Sequence, residues 1–131
     1  MKKSILFLFV VILLAACKED EPVVPAPVIS GLEVGSNNSK TVQRGKDLHL
    51  EAQLVAEGTL AHVEVSIHPK AGGGWSYTKE IVELVGKKNG EIHMHIDIPA
   101  TAAPGQYHID IEVKDQNGRV TEAESDLTIT E

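Results

Sequence analysis

Two histidines one residue apart, His93 and His95, hold the densest chemistry in this 131-residue sequence. On a β-strand, side chains alternate between faces, so His-x-His sets two imidazoles on one side with Cα atoms about 6.6–7 Å apart. Two rings leaning together from that spacing can share one metal ion. Imidazole nitrogen without thiolate suits zinc, copper(II) or nickel, and several histidines plus a carboxylate match no hard-cation pattern. The chain has six histidines and one cysteine, which excludes a disulfide framework and any Cys-based zinc site. A lone His-x-His is often just a solvated pair, so further ligands must come from neighbouring strands. The candidates are His49, His68 and His108.

Other motifs carry less. No Gly-x-Ser-x-Gly elbow, phosphate loop or His-Glu-x-x-His helix is present, and the expectation is no enzyme. Asp115-Gln-Asn117-Gly118 opens like a calcium loop but lacks the downstream bidentate Glu, and Asn-Gly between alternating strands signals a hairpin turn. Trp75 and Tyr77 sit two apart beside three glycines at 72–74. They either contact a glycan or a partner protein, or close the end of a core short of aromatics.

The elements that position these residues read as strands. From residue 28 onward the apolar pattern has period two, with no convincing helical stretch. Seven strand candidates run over 28–34, 47–56, 60–68, 75–84, 90–98, 106–114 and 119–130, separated by Gly-, Asn- and Pro-containing turns. Seven short strands at this spacing predict an all-β, antiparallel sandwich of the immunoglobulin-like or fibronectin-like type. The segment from Ile98 to Tyr107 looks like the corner entering the sixth strand of such domains, where a Tyr hydroxyl bonds back to the backbone. The alternation buries Leu48, Leu50, Ala52 and Leu54 in the second strand, and Ile92, Met94, Ile96 and Ile98 in the fifth. All six histidines then face outward. In that topology the second strand lies antiparallel to the fifth, bringing His49 and Glu51 toward His95 and Asp97. The third lies against the sixth, bringing His68 toward His108. Those pairs fall on opposite outer faces, so either two partial sites exist or loops and a strand switch bring the groups together.

The N-terminus gives an address. Met1-Lys-Lys supplies positive charge, and the apolar run of twelve from Ile5 to Ala16 is too short to span a bilayer, which takes about 20 residues, but fits a signal peptide over residues 1–16. It ends in Leu14-Ala15-Ala16-Cys17, which resembles the bacterial lipobox, making Cys17 the lipidated first residue of the mature protein. Residues 17–27 form an acidic, then proline-rich tether, and 28–131 the domain. Lys18-Glu19-Asp20-Glu21 either addresses the protein to the cell surface or is a solvated spacer. The whole chain has a net charge of −7, and losing Lys2 and Lys3 makes the mature part more acidic still. That charge offers no footprint for nucleic acid.

In these residues the chain resembles domain-of-unknown-function lipoproteins of the Bacteroidetes that carry a histidine-rich, immunoglobulin-like domain. The likeness rests on Leu48-His49-Leu50-Glu51, Ile67-His68, the Trp75 region, Ile92-His-Met-His-Ile-Asp-Ile-Pro99 and Pro104-Gly-Gln-Tyr-His108. It implies that His49, His68, His93, His95 and His108 follow the family pattern; His62 does not. Members often carry an Asp- and His-containing loop after the position of His68, where this chain has Pro69-Lys-Ala-Gly-Gly-Gly74. The expected protein is an outer-membrane, lipid-anchored binding module, surface-exposed or facing the periplasm. It binds a divalent transition metal (zinc, copper or nickel) as an accessory to uptake through an outer-membrane transporter. The alternative is an adhesion or scaffold domain using Trp75 and Tyr77.

Overall fold

The computed structural model describes residues 20–131. The expected signal peptide over residues 1–16, the expected lipidation site Cys17 and the first half of the 18–21 run lie outside the described residues. Eight strands follow in order: β1 (Val28–Val34), β2 (Thr41–Gln43), β3 (Asp47–Val55), β4 (Leu60–Pro69), β5 (Tyr77–Glu80), β6 (Asn89–Asp97), β7 (Gly105–Asp115) and β8 (Val120–Thr130). They form a three-stranded sheet, β1-β3-β6, and a five-stranded sheet, β2-β8-β7-β4-β5. The protein is an all-β sandwich. The inward half of each alternation supplies its core, including Leu48, Leu50, Leu54, Val63, Val65, Ile67, Ile92, Ile96, Ile109 and Ile111. Burying each such side chain contributes about 1.5–3 kcal/mol, which offsets the loss of backbone freedom in a chain poor in aromatics.

Two elements differ from expectation. β2 was not anticipated: its three residues pair in parallel with β8, and only Val42 among them is buried. A single inward residue leaves no alternation to detect. The strand expected over 75–84 is four residues long, β5. After it the Ile81 N–H bonds the Val63 carbonyl, and Val82–Leu84 winds into a 3₁₀ turn. Ile81 and Leu84, three apart, then both point into the core, the spacing of a 3₁₀ helix rather than of a strand. Leu84 sits against Gly90, where an added Cβ would come within 2.8 Å of its methyl.

The corner before β7 takes the expected form. Tyr107 is buried, and its hydroxyl donates to the Ala103 carbonyl at 2.8 Å. At the β7–β8 turn the buried Asp115 carboxylate accepts from the Asn117 and Arg119 N–H groups, each at 2.9 Å. Gly118 takes the positive φ (80°) that this turn requires. Just before β1, the Pro27 carbonyl accepts from the Thr121 hydroxyl at 2.6 Å.

Candidate metal centre

β3 and β6 pair antiparallel without a break in register from Asp47↔Asp97 to Val55↔Asn89. This ladder sets His49 opposite His95 and Glu51 opposite His93. Directly opposed side chains share a face with Cβ atoms about 4.5–5.5 Å apart. The outer face of the three-stranded sheet therefore gathers three imidazoles. Ring centroids lie 5.2 Å apart for His49–His93, 5.3 Å for His49–His95 and 5.8 Å for His93–His95. One ligand nitrogen from each falls within 4.8 Å of the other two. Tetrahedral zinc, with bonds of about 2.0–2.1 Å, needs nitrogens roughly 3.3 Å apart. Rotation about the side-chain bonds closes that gap. His93 and His95 are free to make it, with side chains 56% and 58% exposed, while His49 is the fixed member at 18%.

Carboxylates complete the surroundings. The Glu51 Oε2 atom lies 3.6 Å from His49 Nε2 and 3.8 Å from His93 Nδ1, between two of the imidazoles. A second grouping of Glu51, Glu91 and His93 meets the same distance limit. Asp47 accepts a 2.6 Å hydrogen bond from His95 Nδ1. An ionised carboxylate can only accept, so this bond holds the proton on Nδ1 and leaves Nε2 with its lone pair free. Ligating histidines are commonly oriented in this way. The same hydrogen bond holds the Asp47 carboxyl below its ordinary pKa.

The remaining histidines lie on the other sheet. His68 and His108 face each other across β4 and β7, ring centroids 5.6 Å apart. His68 Nε2 is 2.8 Å from Asp110, and His108 Nδ1 is 3.9 Å from Asp126. Lys70 also holds Asp126, at 2.6 Å, and its ammonium keeps that carboxyl below its usual range. Because the two sheets pack with their inner faces together, this pair is separated from the first cluster by the core. Of the arrangements left open by the sequence, the one in which His68 and His108 complete the first site is not realised. His62 sits apart with Glu80, 3.0 Å from its Nδ1. Trp75 and Tyr77 are half-buried and packed against the core, with Trp75 6.2 Å from Tyr107 and 6.4 Å from Tyr77, centroid to centroid. Desolvation raises the pKa of the Tyr77 hydroxyl.

Sequence reasoning left Asp47 and Glu91 out of the site. Asp47 occupies the first strand position, where a polar residue reads as a turn flank. Its one available signal was the i, i+2 spacing to His49 on the same outward face.

A family model described as a domain of unknown function (DUF4625) matches residues 15–130. No curated protein matches the chain. Among solved structures, a Niemann-Pick type C2 protein from the Japanese carpenter ant superposes with TM-score 0.58 at 9% identity, covering 85% of this chain and 98% of that one. Spo0M, a sporulation control protein from Bacillus subtilis, gives 0.55 at 5% identity over 82% of this chain and 51% of its own. OgpA from Akkermansia muciniphila gives 0.55 at 13% identity over 82% and 30%. This chain thus spans about half of Spo0M and under a third of OgpA. At these identities the likeness is one of fold alone.

Proposed function

Since the chain belongs to the DUF4625 family, a domain of unknown function, we propose its role from the site: it is a binding module that takes up a divalent transition metal (zinc, copper or nickel) on its three-stranded sheet. His49, His93 and His95 supply the nitrogens and Glu51 the fourth donor, with Asp47 holding His95 in the ligating tautomer. One observation carries the reading: three imidazoles on two rigidly paired strands offer nitrogens within 4.8 Å of one another. No catalytic step is assigned to the protein. His68, His108 and Asp110 make a separate, weaker site with only two imidazoles.

The lipobox reading puts the module on a lipid anchor at Cys17 in the outer membrane, addressed to the surface by residues 18–21. An accessory role beside an outer-membrane transporter follows from that placement. The adhesion reading is the less favoured, because Trp75 and Tyr77 lean on the core and leave little flat aromatic surface. Titration calorimetry decides between them. The wild type should bind zinc, copper or nickel with Kd in the micromolar range, and His93→Ala/His95→Ala should lose it. Binding no tighter than about 100 μM would reject the metal site.

A further inference from the structure

The four edge strands of the sandwich are guarded unequally. An exposed edge presents unpaired N–H and C=O groups that invite another strand, and proteins blunt such edges with bulges, short strands, lysines or prolines. β1 carries a register shift between Ser30 and Glu33, with Gly31 at φ 61°. β2 is three residues long, and β5 is four with Lys79 among them. β6 has none of these devices. It runs nine residues without a register shift and contains no Lys or Pro. Among the described residues, no backbone group from 91 to 97 bonds outside the β3 ladder. Alongside β6 runs an open groove of about 240 Å³, walled on its far side by Tyr77, Lys79, Ile81 and Glu83. Met94, expected in the core, is only half-buried at this rim.

We infer that β6 is an interface between two copies of this chain, paired antiparallel about a two-fold axis at His93. The strand's own pattern selects this register. Centred on His93, Glu91 faces His95 of the second copy, Ile92 faces Met94, and Asn89 faces Asp97. Sliding by two residues one way sets Glu91 against Asp97, two like charges. Sliding the other way sets Gly90 against Met94 and leaves His95 facing Asn89. A shift by one residue would set the histidines of one copy on the face opposite those of the other. In the favoured register the two three-stranded sheets become one six-stranded sheet, and an isologous contact of this kind closes at two copies. His93 of each copy then stands opposite the other at a Cα distance of about 4.5–5.5 Å. Six imidazoles share one face, and in the dimer His93 of the second copy can take the place of Glu51 as the fourth donor of the site proposed above. The pairing rests on that metal reading only for its response to zinc.

Sedimentation equilibrium of the full chain in density-matched detergent tests the proposal. The metal-free wild type should be dimeric at about 100 μM, and one equivalent of zinc should lower the dimer dissociation constant at least tenfold. Met94→Lys puts an inward charge on the rim and should give monomers with and without zinc, while Met94→Leu stays dimeric. If Met94→Lys fails to fold by circular dichroism, Glu91→Lys replaces it, setting a cation against His95 of the second copy. A monomeric wild type, or a dimer that survives the charge substitution, overturns the interface. Zinc is counted per chain in the same samples. A chain that takes up none removes the metal reading, and its metal-free mass still decides the edge.

Discussion

His49 and His95 stand directly opposite each other in the β3–β6 ladder, with ring centroids 5.3 Å apart. Their separation is therefore set by backbone pairing, and only rotation about the side-chain bonds is left for a ligand to organise. A metal bound only by the folded state should stabilise the sandwich. Zinc at a hundredfold excess over its Kd adds about 2.7 kcal/mol, a rise in Tm of roughly 10 °C or more for a domain of this size. Protons compete for ligating nitrogens, and free imidazole titrates near about pH 6.5, so the rise should shrink steadily below that pH. Differential scanning calorimetry at several pH values checks both. A Tm indifferent to zinc at neutral pH would contradict the site.

Asp47 touches His95, one of the proposed ligands, and stands outside the proposed ligand set. Asp47→Asn can also donate, so it no longer dictates the tautomer, and zinc affinity should fall about tenfold with the fold intact. The pH response has a definite sign. The Asp47 carboxyl is held below its ordinary value of 3.8 by the His95 hydrogen bond. Its contribution to stability is thus full above that value and lost as pH falls through the lowered one. Acid titration followed by NMR should show the Asp47 transition moving up when His95 is replaced by Ala.

The outer face of the five-stranded sheet places like charges in register. Glu80 lies opposite Glu64, Glu64 opposite Glu112, and Glu112 opposite Glu122. Directly opposed like charges destabilise a sheet, and salt screens them. Glu112→Thr should therefore raise stability by about 0.5–1 kcal/mol. The wild type should also gain more than the variant between low and high salt, as read by urea denaturation.

Cys17→Ser should release the protein from membranes or leave its leader uncleaved. Alanine at residues 18–21 should protect it from protease added to intact cells. Unchanged membrane fractionation in the first variant, or unchanged accessibility in the second, would count against the proposed address.

Much of this architecture was legible because alternation is a local signal. The period-two runs in β3, β4, β6 and β7 gave both the inward faces and, through the expected topology, the His49–His95 and His68–His108 pairings. What stayed hidden was non-local. β2 exists only because β8 lies alongside it, and three residues leave no pattern of their own. The end of β5 is decided by Ile81 and Leu84 turning into the core, which depends on the space beside Gly90. Asp47 joins the site through a side-chain bond across two strands. Met94 misled because its alternation is that of a buried residue, while its strand has no outer neighbour to cover it.

The His95–Asp47 hydrogen bond joins residues 48 positions apart in the chain. Contacts of such sequence separation are made late, and sandwiches dominated by them fold in milliseconds to seconds, after the loop-closure entropy has been met. The cluster therefore has no counterpart in a nascent or partly folded chain, where His93 and His95 alone are neighbours. Metal arriving early would find a two-histidine site of low affinity and exchange off again. Metal at the proposed site would bind only after closure, so its occupancy would follow the population of fully folded chains.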